Sequence, residues 1–145
     1  MRLVIQRVSS ASVTINAKVV GKIDKGLFVL LGVREGDSKK EADLLVDKLL
    51  KLRIMADDTG KMNLSIFDTT KEILIVSQFT LLADTKKGNR PSFIKAGNPD
   101  KARDLYRYFS SSLVEKGVKV STGRFGEYMK IESHLDGPVT IILES

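Results

Sequence analysis

Residues 26–33 read Gly-Leu-Phe-Val-Leu-Leu-Gly-Val, without a single polar side chain. The run is far shorter than the roughly 18 apolar residues needed to cross a bilayer. Its strand length and continuous apolar character make it a strand buried on both faces. Such a strand cannot sit at a surface, so apolar layers must cover it on either side. The rest of the chain supplies the cover. Leu3 to Val8 and Ala11 to Ile15 read as strands, the second alternating in Ser12-Val13-Thr14-Ile15. Lys18 to Ile23 follows a turn near Asn16-Ala17, and Glu72 to Leu82 returns to a buried strand. Val118 to Ser121, Met129 to Glu132 and Val139 to Leu143 are short strand candidates.

Two segments have helical period instead. Ser38 and Glu41 fit a capping box, and Ala42, Leu45, Val46, Leu49 and Leu50 then recur on one face, predicting a helix over 38–52. Asn98-Pro99-Asp100 is a helix start, with a capping amide, proline at the first turn and an acid at the positive dipole end. Ala102, Leu105, Tyr106, Phe109, Leu113 and Val114 form its apolar stripe, and Gly117 stops it. No repeat, low-complexity tract or linker divides the chain. The expectation is one layered α/β domain over residues 1–145, with about seven or eight strands and two main helices packed on the sheet.

Composition narrows the chemistry. There is no cysteine, which excludes disulfide scaffolds, thiolate nucleophiles and thiolate metal sites. His134 is the one histidine, so a histidine-rich zinc site is excluded, and no cofactor or metal is expected. No G-x-S-x-G elbow, P-loop or H-E-x-x-H is present, and nothing in the sequence sets a serine against His134. An enzyme built from this chain works without the usual nucleophile and base. The formal charge of +6 favours polyanions such as nucleic acid, although it is equally compatible with a solvated basic surface. Charges inside the first apolar segment, Arg2 and Arg7, are unlike a signal peptide, and the expectation is a cytoplasmic protein.

Two segments stand out as chemistry rather than scaffold. Ile73-Leu74-Ile75-Val76 is what a central strand requires, yet Ser77-Gln78-Phe79-Thr80-Leu81 follows directly. Buried polar groups cost about 1–3 kcal/mol each without partners. Either this is an edge where they meet water, or the strand end presents hydroxyl, amide and N–H groups to a ligand. The second segment is Leu135-Asp136-Gly137-Pro138-Val139-Thr140. Gly-Pro before a strand is ordinarily a turn, but Gly137 offers no side chain and Pro138 no N–H. The pair therefore also makes a rigid wall of bare carbonyls, and an X–Pro bond takes the cis form at modest cost.

Together, Ser77-Gln78-Phe79-Thr80-Leu81 and Gly137-Pro138-Val139-Thr140 resemble the two signature motifs of the D-aminoacyl-tRNA deacylases. Ile5-Gln6-Arg7-Val8, Lys61-Met62-Asn63-Leu64, Arg90-Pro91-Ser92-Phe93 and Thr122-Gly123-Arg124-Phe125 resemble family positions in the same order. One departure is Leu135, where the family pattern carries Asn before Asp-Gly-Pro. The resemblance implies the family's fold and hydrolysis of the ester linking a D-amino acid to the terminal ribose of tRNA, a proofreading reaction. It also implies a homodimer with active sites at the subunit interface and aminoacyl-tRNA as substrate. Ser77, Gln78, Phe79 and Thr80 would form one wall, and Gly137 and Pro138 of the partner subunit, in a cis linkage, the opposing one. Arg7 would hold that loop, while Phe125 and Met129 would border the pocket for the terminal adenine.

Such a site needs no side-chain nucleophile. An aminoacyl ester is already activated, and the ribose 2′-hydroxyl can assist the attack of water. Backbone N–H groups around Phe79 and Thr80 are the oxyanion candidates, with the Thr80 hydroxyl as nucleophile the alternative. A main-chain wall would reject L-residues, accept many D-side chains and tolerate glycyl-tRNA. Lys86, Lys87 and Arg90 are candidate phosphate contacts on the following loop. Two other readings compete: a non-catalytic RNA-binding module stacking bases on Phe125 or Phe93, and a generic small-molecule hydrolase.

Overall fold

The computed structural model describes residues 1–86 and 88–145. A long hairpin opens the chain. β1 (Arg2–Ile15) turns at Asn16 and Ala17, whose positive φ angles of 48° and 62° suit a two-residue connection matching the strand twist. β2 (Lys18–Ile23) and β3 (Gly26–Gly32) then run end to end along one edge of β1, since Ala11↔Ile23 and Val8↔Gly26 belong to one register. The break expected at Ser9-Ser10 is absent, and β1 is a single strand. α1 (Lys39–Lys51) starts at the Ser38–Glu41 capping box, with the Ser38 N–H donating to the Glu41 carboxylate at 2.8 Å.

β4 (Met55–Ala56) and β5 (Met62–Leu64) flank the Asp57-Asp58-Thr59-Gly60 turn, where Asp57 Oδ1 accepts from the N–H groups of Thr59 and Lys61. β6 (Glu72–Ser77) pairs parallel to β3 and stops five residues short of the expected Leu82. Phe79–Leu82 instead coils into a 3-10 turn. α2 (Pro99–Glu115) is capped by the Asn98 side chain, and β7 (Lys119–Thr122) pairs parallel to β6. β8 (Lys130–Glu144) joins the two expected strands 129–132 and 139–143 into one and runs antiparallel along the other edge of β1. The expected α/β architecture is present: the described residues form eight strands and two α-helices, with six strands in the main sheet and β4–β5 a separate ribbon.

The sheet separates two cores. Leu3, Ile5, Leu27, Val29, Leu31, Ile73 and Ile75 face the helices, where Leu45, Val46 and Leu49 of α1 meet Leu105, Phe109 and Leu113 of α2. On the opposite face Val8, Ala11, Val13, Ile23, Phe28, Leu74 and Val76 form a smaller core. β3 therefore buries alternate side chains in different layers, as its unbroken apolar run requires. The sheet curls until β2 lies against β7, with Ser121 Oγ donating to Lys22 O at 2.8 Å. The contact depends on Gly21, since a Cβ there would lie 2.6 Å from Thr122 O. Among the described residues no helix is long and apolar enough to cross a membrane.

Candidate active site

The last ladder bond of β6 is made by Gln78, whose N–H donates to Leu31 O at 2.8 Å. Beyond it β3 has ended, and the chain folds back on itself. Leu81 N–H donates to Gln78 O and Ala83 N–H to Thr80 O, at 3.3 and 3.1 Å. The N–H groups of Phe79 and Thr80 open this turn and have no hydrogen-bond acceptor among the described residues. Gln78 Nε2 donates to Thr80 Oγ1, which holds both polar side chains to the turn. The Phe79 ring, 57% exposed, packs edge-on against Phe93 at 5.0 Å between centroids.

This turn borders a cleft of about 630 Å³. Ser77, Gln78 and Phe79 line one side, and Phe125, Tyr128 and Met129 another. Tyr106 stands behind Phe125, with ring centroids 6.0 Å apart, and donates its hydroxyl to Ile75 O at 2.9 Å. Burial pushes that hydroxyl's pKa up to about 12, so it is a fixed donor at neutral pH. Glu127 is the one carboxylate among the lining residues, and no histidine is among them. His134 lies instead on β8, with Nδ1 3.2 Å from Ser10 Oγ in an exposed pair. The cleft can hold a planar apolar group between aromatic and thioether walls, with two free N–H groups beside it.

Gly137 and Pro138 are elsewhere. β8 pairs Leu135 with Val8 and Thr140 with Gln6, so four residues, 136–139, bow out opposite the single residue Arg7. Gly137-Pro138 is a cis peptide, and both residues are exposed. Arg7 is only 7% exposed. Its Nε donates to Asp136 O at 3.1 Å, its Nη1 to Ile54 O at 2.9 Å, and Nε lies 3.2 Å from Asp136 Oδ2. Gly137 has φ +130°, and a Cβ there would lie 2.9 Å from Val139 Cγ2. Neither loop residue lines the cleft of its own chain.

Lys86 and Arg90 are exposed on a loop clipped by the Asp84–Ser92 pair and also do not line the cleft. Lys87 lies outside the described residues. Thr80 lies within the turn without lining the cleft, whereas Phe93 does line it. Tyr128, 88% exposed, is a lining residue that sequence does not single out. Its signal is an aromatic set in the Gly126-Glu127-Tyr128 turn between two apolar wall residues.

The D-Tyr-tRNA(Tyr) deacylase family model matches residues 4–144. A D-aminoacyl-tRNA deacylase of Thermosipho melanesiensis is 53% identical over 146 residues, covering 100% of this chain and 97% of that one. One from Dehalococcoides mccartyi (strain ATCC BAA-2266) is 54% identical, covering 100% of this chain and 95% of that one. Among solved structures, the c-Myc DNA Unwinding Element Binding Protein superposes with a TM-score of 0.93 at 42% identity, over 100% of this chain and 99% of that one. A probable eukaryotic D-amino acid tRNA deacylase gives 0.88 at 19% identity, over 99% and 98%, a likeness of fold.

Proposed function

The chain belongs to the D-aminoacyl-tRNA deacylase family, and from that premise we propose that it hydrolyses D-aminoacyl-tRNA to free D-amino acid and tRNA. It is an ester hydrolase. The observation that carries the mechanism is the pair of unpaired N–H groups at Phe79 and Thr80, beside a cleft lined by no histidine. Water attacks the ester carbonyl carbon, assisted by the neighbouring ribose 2′-hydroxyl. The C–O bond to the ribose breaks, and the ribose oxygen leaves with a proton. The two N–H groups face the oxyanion that forms in between, where fixed donors do the most for the rate. The terminal adenine lies against Phe125 and Met129, and this holds the ester in place.

Chirality requires a second wall, which we assign to Gly137 and Pro138 of the partner subunit in a homodimer. A D-residue turns its side chain away from that wall while the carbonyls receive its amino group. The L-residue drives its side chain into the wall, and glycine passes. Arg7 braces the loop through Asp136. Lys86 and Arg90 contact tRNA phosphates near the acceptor end, and the reaction takes place in the cytoplasm as proofreading.

The Thr80 hydroxyl as nucleophile is the second reading. It is disfavoured because its one hydrogen-bond partner among the described residues, Gln78 Nε2, is a donor and removes no proton. A binding module without chemistry leaves the N–H pair unused. The test is deacylation of matched D-tyrosyl-tRNA and L-tyrosyl-tRNA by the purified protein. Rapid loss of the D-ester with the L-ester intact is expected. Inertness toward both, with tRNA still bound, would leave a binding module. Turnover of a simple activated ester without RNA would favour a generic hydrolase.

A further inference from the structure

α2 turns its apolar stripe inward at Leu105, Tyr106, Phe109 and Leu113. Helical spacing then gathers Arg103, Arg107, Ser110 and Ser111 on another face. The segment after β7 brings Arg124 to the same place. Together they line a groove of about 480 Å³. Phe125 and Glu127 line this groove and the cleft alike, so the two hollows share a wall. The Arg103 guanidinium lies over the Phe125 ring, 5.4 Å from its centroid, and pairs with Asp100 at 3.1 Å. Arg107 and Arg124 are exposed and form no ion pair among the described residues.

We propose that this groove binds the phosphates of the single-stranded RNA end whose terminal nucleotide occupies the cleft. The proposal rests on the deacylase reading and extends it to residues off the cleft. With Arg103 already paired to Asp100, Arg107 and Arg124 still outnumber the one lining carboxylate, Glu127, and make the groove electropositive. Guanidinium forks match phosphate oxygens in pairs, and the Ser111 and Thr122 hydroxyls add neutral donors. Continuity through Phe125 selects the occupant. A base stacked on the cleft side of that ring leaves its 5′-phosphate at the ridge, and the preceding phosphates follow the groove. A free anion would need no such shared wall.

The test uses the whole protein and the double variants Arg107→Glu/Arg124→Glu and Arg107→Gln/Arg124→Gln, all at exposed positions. Lys25→Glu/Lys48→Glu, exposed and lining neither hollow, is the control of equal charge change. Binding of a non-acylated single-stranded oligoribonucleotide ending in CCA is followed by anisotropy across a salt series. The glutamate pair should weaken binding about ten-fold or more, and its salt slope should shrink by about 1.4, the value for two lost contacts to single strands. KM for D-tyrosyl-tRNA should rise, with turnover of D-tyrosyl-adenosine, which lacks the upstream phosphates, retained.

Unchanged RNA binding in the arginine variants overturns the groove, as does equal weakening by the control or wild-type protein that does not bind the RNA. Equal loss on D-tyrosyl-adenosine also overturns it, because the damage would then lie in the cleft. Wild-type protein that binds RNA through these arginines but hydrolyses neither D-ester would overturn the deacylase reading and leave the groove standing.

Discussion

Thr80 carries a hydroxyl and an N–H with different duties in the two mechanisms. If water attacks and the backbone holds the oxyanion, Thr80→Ala removes nothing essential, and kcat should stay within about ten-fold of wild type. Thr80→Pro removes the N–H and should cost about 100-fold or more, the scale of one lost oxyanion donor. Single-turnover deacylation of D-tyrosyl-tRNA separates them, with circular dichroism to check folding. A dead but folded Thr80→Ala would establish the nucleophile instead. Arg7 shows how far single residues were legible. The family resemblance names Arg7, and the structure adds the physical reason, since a guanidinium amid Leu3, Val4, Ile5 and Val8 needs buried acceptors. Its acceptor on Ile54 is invisible in sequence, because only the fold brings residue 54 beneath β1.

Among the elements, α2 is where packing, the cleft and the groove meet. Tyr106 ties it to β6 through Ile75 O. Its hydroxyl has a pKa near 12 when folded against about 10 when unfolded, so the folded state binds the extra proton between those values. That contribution is complete below pH 10 and is lost as pH rises through 12, about 2–3 kcal/mol in all. Urea unfolding at pH 8, 10 and 11.5 should show the wild type losing stability more steeply than Tyr106→Phe, whose curves should converge on it at the alkaline end. Parallel pH dependence would mean that Tyr106 does not carry this term.

Both helices were legible because their caps and stripes are local signals. The long strands were not. In β1, Leu3 and Ile5 face one core while Val8, Ala11 and Val13 face the other, so alternation breaks where the strand does not. In β8, Asp136-Gly137-Pro138 reads as a turn, but the ladder resumes in the same direction beyond it. β4 and β5 are too short to have a period. Nothing in the sequence singles out the arginines of α2, because helical spacing cannot reveal that Phe125 lies beside them.

The whole molecule raises the question of what completes the cleft. Its own Gly137 and Pro138 lie off it, on an exposed bow of β8. If the partner subunit supplies them, two inactive variants must rescue each other. Thr80→Pro disables the turn, and Gly137→Val disables the wall, since φ +130° and the 2.9 Å contact leave no room for a side chain. Equal mixing and reassembly should restore about a quarter of wild-type activity, because half the dimers are mixed and each holds one intact site. No recovery, with mixed dimers verified by mass spectrometry, would place both walls in one chain.

β1 is flanked on one side by strands made directly after it and on the other by β8, made last. In a chain emerging from its first residue, the hairpin of β1 with β2 and β3 can form at once. The opposite edge of β1, with its row of unspent N–H and C=O groups, must wait until every other element has been synthesised. For most of its birth this protein therefore carries an open strand edge of the kind that invites foreign pairing. Only the arrival of the strand bearing Gly137-Pro138 seals it, so the nascent chain gains its protection and its candidate chiral wall in one step.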